Sequence, residues 1–236
     1  MRQIAICETL EDVADAAADL ICEAQREAIA ERGVFRIAFS GGVEIGELLE
    51  ELATEDWSEE TDWERWEVFW SDERAVPPAH PDSHYRMAYE ALLDYVPIGE
   101  VWRMPGETEN LSEAADEYAR TIKSRFGPGA PVFDVIVLSI GQDGHVAALF
   151  PGDAAIESGA LIEVVESKSG TRMLTFTPRV INQARRVILL AAGEDKAQSL
   201  RQLLVEEDFR LPAARIQLQD GECWWVLDQA AASLIR

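Results

Sequence analysis

The residues best equipped for chemistry stand just past the ends of short apolar runs. The run FDVIVLSI leads directly into Gly141-Gln142-Asp143-Gly144-His145. An imidazole changes charge near neutral pH, so a histidine at the end of a buried strand suits the removal of a proton from water. Asp143 can accept from one ring nitrogen and leave the other as the proton acceptor. Two-residue spacing does not put both groups on one helix face, so the pairing calls for a loop. The other histidines, His80 and His84, share a proline-rich loop, and no spacing among the three suggests a metal triad.

Three more strand ends carry polar residues. FRIAFS is followed by Gly41 and Gly42 and then by the helical GELLEEL. Glycines let a backbone approach an anion, and free N–H groups at a helix start attract phosphate, which makes Ser40-Gly41-Gly42 a candidate phosphate turn. A plain strand-ending turn accounts for the same three residues equally well. In Trp70-Ser71-Asp72-Glu73-Arg74, the guanidinium of Arg74 can fork onto phosphate oxygens, while Asp72 can orient it or accept a sugar hydroxyl. The run RRVILLAAG precedes Glu194-Asp195-Lys196-Ala197, where Lys196 offers a compact positive charge or pairs with neighbouring acids.

The elements that must position these groups alternate. Short β-rich runs at 35–40, 67–71, 101–104, 133–140, 172–176, 186–191 and 224–227 are separated by amphipathic stretches at 8–31, 44–54, 84–94, 111–125, 194–205 and 228–235. This is the pattern of a mostly parallel sheet with helices on both faces, a doubly wound α/β fold, in which ligands collect at the carboxyl ends of strands. The turn-rich segments PPAHPDS, FGPGAP and SKSGT are short, so residues 1–236 are expected to form a single α/β domain without internal repeats.

Composition narrows the function. Acidic residues number 44 against 21 basic ones, a formal charge of −23, and Lys123, Lys168 and Lys196 are the only lysines. Such a surface excludes a nucleic-acid partner and requires any phosphate site to be locally basic against the general field. Acid excess with few lysines also predicts a fold that gains stability in molar salt, where the Debye length shrinks to about 3 Å. The N-terminal stretch lacks a basic start, and no run approaches the length of a membrane span, so a soluble, cytoplasmic protein is expected. Cys7, Cys22 and Cys223 are far apart in apolar segments and read as reduced core thiols. The seven tryptophans, four of them at Trp57, Trp63, Trp66 and Trp70, read as packing.

Taken in order, these segments resemble the 6-phosphogluconolactonase family. The resemblance rests on SGG at 40–42, SDERAVPPAHPDSHY at 71–85, RMPGE at 103–107, IGQDGHVAALFPGD at 140–153 and GEDKA at 193–197, and it spans roughly residues 35–230. It implies a Rossmann-like fold shared with sugar-phosphate isomerases and hydrolysis of 6-phospho-D-glucono-1,5-lactone in the oxidative pentose phosphate pathway. His145 would be the base with Asp143 beside it. Ser40, Gly41, Gly42, Asp72, Arg74, Lys196 and, by its place in the family pattern, Arg172 would bind substrate. The small-molecule sugar-phosphate lactone would be the partner, with no metal, cofactor or obligate protein partner implied. The chain departs from the pattern at Val43-Glu44-Ile45, where the family continues Ser-Thr-Pro, and Val146 and Ala148 replace common hydroxyl residues. Glu44 is expected to turn outward, leaving the phosphate mainly to Arg74, Arg172 and Lys196. The competing readings are a glucosamine-6-phosphate deaminase or isomerase, disfavoured by Leu149-Phe150-Pro151 and by Arg74, and a sugar-phosphate-binding protein without catalysis.

Overall fold

The computed structural model describes residues 2–235. Seven strands form one sheet in the order β1 (Arg2–Cys7), β10 (Glu222–Asp228), β9 (Arg186–Ala191), β6 (Val135–Ser139), β2 (Phe35–Phe39), β3 (Trp66–Trp70) and β5 (Glu100–Trp102), and every neighbouring pair is parallel. Strands β3 and β9 are buried along their whole length, and β2 and β6 between them at all but one residue each, as a parallel sheet covered by helices requires. The covering helices are α1 (Leu10–Arg32), α2 (Val43–Leu52), the short α3 (Glu55–Ser58), α4 (His84–Ala88), α5 (Leu111–Phe126), the short α6 (Pro178–Ile181) and α7 (Ala197–Leu204). The cap of α1 follows from its sequence: the Thr9 hydroxyl accepts from the Asp12 N–H while the Asp12 carboxylate accepts from the Thr9 N–H, and Gly33 ends the helix at a φ of 73°.

Three strands make a separate antiparallel sheet in the order β4 (Asp72–Arg74), β8 (Arg172–Phe176) and β7 (Ile162–Glu166). The expected strand at 172–176 therefore exists but lies in this small sheet and not in the parallel one. Only Ser71 separates β3 from β4: its N–H donates to Phe39 O in the large sheet, and its carbonyl accepts from Phe176 N–H in the small one. The edge strand β1 was absent from the sequence reading. The expected helix at 194–205 is a 3₁₀ turn at Glu194–Lys196 followed by α7, and the one at 228–235 shrinks to a 3₁₀ turn at Ala231–Leu234.

Strand order identifies the place where a ligand can enter. From β2 the chain moves to β3 and β5 on one side; from β6 it moves to β9 and β10 on the other. Loops leaving the adjacent ends of β2 and β6 thus part in opposite directions and open a crevice between them. Trp63, Trp66 and Trp70 are buried in the core, as are Cys22 and Cys223, and burial pushes the Cys223 thiol up to about 11.

Candidate active site

The crevice is a cleft of about 1030 Å³ lined by Ser40, Gly41, Gly42, Asp72, Arg74, Asp143, His145 and Lys196, so eight of the nine residues expected from the sequence come together there. Arg172 does not. It opens β8 on the face opposite Met173, which lines the cleft, and lies in a smaller depression beside Glu107 and Thr108. Alternation along the strand explains the separation.

His145 follows β6 on a tight turn in which Gly144 N–H donates to Gly141 O and Gly141 N–H to His145 O. Its Nδ1 lies 2.6 Å from Asp143 Oδ1, and its own N–H donates to the same oxygen at 3.2 Å. Partial burial opposes ionisation of Asp143, but the hydrogen bond and charge of His145, with Lys168 3.6 Å away, outweigh it and hold the carboxyl below its usual range. An ionised carboxylate only accepts, so Nδ1 carries the proton, and in the neutral form of the ring Nε2 is the nitrogen left as an acceptor. The ring is about one-third exposed and packs on Phe150 with centroids 5.1 Å apart. Gly141 is dictated by this ring, because a Cβ there would sit 2.0 Å from it.

The rest of the turn is held from the small sheet. Thr175 on β8 accepts the Ala148 N–H at 3.1 Å, tying the loop after His145 to the antiparallel strands. The N–H groups of Gly144 and His145 are consumed by the turn and are not free to serve as oxyanion donors.

At the end of β2 the Ser40 hydroxyl accepts from Ser139 N–H at 3.1 Å and donates to Gly41 O, bracing β2 against β6. Gly41 and Gly42 are crowded: a Cβ on Gly41 would lie 2.1 Å from His84 Nε2, and one on Gly42 2.9 Å from the Ser139 side chain. Asp72 is buried and committed, its Oδ1 accepting from Ser71 Oγ at 2.9 Å and its Oδ2 lying 3.2 Å from His84 Nδ1. It orients His84, not Arg74. Burial opposes protonation of His84, yet Asp72 and Glu73 outweigh it and raise its pKa. Arg74 is anchored through Nη1 to Asp82 O at 2.7 Å, and Glu73 caps α4 by accepting from Ser83 Oγ and the N–H groups of His84 and Tyr85.

Lys168 and Glu44 line the cleft although neither was among the expected site residues. Lys168, at the tip of the β7–β8 hairpin, reaches Asp143; its signal was the scarcity of lysine itself. Glu44 was expected to face outward, and the structure reverses this: its carboxylate is buried in the cleft, accepting from Ser139 Oγ at 2.8 Å and lying 3.7 Å from Lys196 Nζ. A buried carboxylate needs such partners, and the cleft supplies them.

A sequence profile described as glucosamine-6-phosphate isomerases/6-phosphogluconolactonase matches residues 8–225. The chain belongs to this family. It is 41% identical over 226 residues to a protein of Synechocystis sp. named 6-phosphogluconolactonase, the match covering 92% of each chain. It is 34% identical to the probable 6-phosphogluconolactonase 2 of Oryza sativa subsp. indica, over 98% of this chain and 89% of the rice protein. Among solved structures, the 6-phosphogluconolactonase of Trypanosoma brucei superposes with a TM-score of 0.89 at 26% identity, covering 100% of this chain and 99% of that one. The family membership accounts for the order of the cleft-lining segments along the chain, and no helix among the described residues is long and apolar enough to cross a membrane.

Proposed function

We propose that the chain hydrolyses 6-phospho-D-glucono-1,5-lactone to 6-phosphogluconate, with His145 as general base. The observation that carries this reading is an imidazole whose Nδ1 is 2.6 Å from an ionised Asp143 and whose other nitrogen has no hydrogen-bond partner among the described residues, in the cleft of a chain 41% identical to a protein named for this activity. Nε2 takes a proton from water, the oxygen attacks the lactone carbonyl, and the tetrahedral intermediate collapses as the imidazolium returns the proton to the ring oxygen. Asp143 fixes the tautomer and stabilises the imidazolium. No covalent enzyme intermediate is required.

The substrate phosphate is held by Arg74, with Lys196 and the Gly41–Gly42 turn nearby. Arg74 is the cation of the cleft with no carboxylate within 4.0 Å among the described residues, whereas Lys168 and Lys196 each lie beside one. A bidentate guanidinium also suits phosphate better than an ammonium does. Because free lactones hydrolyse spontaneously, much of the acceleration is assigned to orientation of water and carbonyl. The test is a coupled assay on freshly made 6-phosphogluconolactone: the protein should form 6-phosphogluconate well above the buffer rate, and a rate equal to buffer would refute the reading.

A further inference from the structure

The charge that faces a ligand in this cleft is not the charge expected of a phosphate site. Five carboxylates (Glu44, Asp72, Asp143, Asp195, Asp228) and three cations (Arg74, Lys168, Lys196) line it. Glu44 stands apart among the acids because it sits on the first turn of α2, directly after the Gly41–Gly42 turn; like Asp72 it is buried, at 5% exposed. Its Oε2 takes the Ser139 hydroxyl at 2.8 Å; its Oε1 lies 3.4 Å from the Ala192 N–H and 3.7 Å from Lys196 Nζ. Lys196, whose ammonium also donates to Ile140 O at 2.9 Å, is thereby confined between a carbonyl and a carboxylate. The helix start and the lysine that would favour an incoming anion already face a negative group supplied by the chain.

We propose that Glu44 is an internal counter-anion that competes with the substrate's phosphate for Lys196, and so sets how strongly the cleft prefers phosphorylated over unphosphorylated lactones. The proposal rests on the lactonase reading for its substrate but not for its binding site. A phosphate approaching Lys196 meets a carboxylate of the same sign held by two other donors, and like charges brought together in a partly buried site repel strongly. The consequence is a cleft that relies on Arg74 for phosphate and gains little from Lys196.

The experiment titrates inorganic phosphate into the full chain by calorimetry, comparing wild type, E44Q and E44Q/K196M. E44Q removes the charge at nearly constant size and should bind phosphate about tenfold tighter, a gain that K196M should largely cancel. The ratio of kcat/KM for 6-phosphogluconolactone to that for gluconolactone should rise in E44Q by a similar factor, whereas a folding defect would lower both rates together. Phosphate binding to E44Q no tighter than to wild type, or a gain that survives K196M, would overturn the proposal. If E44Q melts early, E44T is read by the same criteria. The titration needs no turnover, so a failure of the lactonase reading, seen as no acceleration by wild type, leaves it interpretable.

Discussion

At the scale of single residues, the site is built by side chains that press on glycines. His145 leans on Gly141 and His84 on Gly41, so these glycines are required by neighbouring rings more than by an anion. This separates position from presence in a direct way. In Gly141→Ala the three atoms nearest the added methyl all belong to the side chain of His145, so the fold should persist with Tm within about 4 °C of wild type. The ring would be displaced from Asp143, and kcat should fall about 10²-fold, the scale on which a positioned general base matters. Steady-state kinetics beside a thermal melt reads both. A displaced base with an undisturbed kcat would contradict the geometry described for Nε2.

At the scale of elements, the parallel strands with continuous apolar runs were legible: β2, β3, β6, β9 and β10 were all expected close to where they lie. β1 escaped because RQIAIC alternates exposed and half-buried residues at a sheet edge and merges with the helix signal that follows. β4 escaped because three charged residues, Asp72-Glu73-Arg74, carry no apolar pattern; two of them are buried through hydrogen bonds that only the folded chain supplies. Local sequence likewise gave no sign that Glu44 would face Lys196, since that pairing depends on α2 meeting the end of β9. Charges inside elements have measurable weight, as Glu67 on β3 illustrates. It accepts from Arg36 and Arg125 at 2.9 and 2.6 Å. Burial works against its ionisation, but the Arg125 and Arg36 hydrogen bonds prevail and lower its pKa. A lowered carboxylate stabilises the fold above its unfolded-state pKa, and the contribution disappears as pH falls through the folded-state value. Glu67→Gln should therefore cost about 1–3 kcal/mol at neutral pH, measured by urea unfolding, with the deficit shrinking in acid. A deficit independent of pH would mean that packing, not charge, holds this pair.

At the scale of the whole molecule, a formal charge of −23 surrounds a cleft that must admit an anion. Self-repulsion on such a surface is relieved by screening, so Tm should rise by about 5 °C between about 0.1 and about 2 M NaCl. A flat response would show that the acidic residues are already balanced locally. The family, the fold and the order of the site segments were readable from the sequence, while the internal neutralisation of Lys196 required coordinates. The central claim is that the free nitrogen of His145 accepts the proton of the attacking water. Its most direct test is the rate of acid release from 6-phosphogluconolactone, corrected for the spontaneous reaction, in wild type and in His145→Ala. The account predicts acceleration by wild type and a loss of about 10²-fold or more in the variant, with 6-phosphogluconate still bound; a variant that hydrolyses the lactone at nearly the wild-type rate would contradict it.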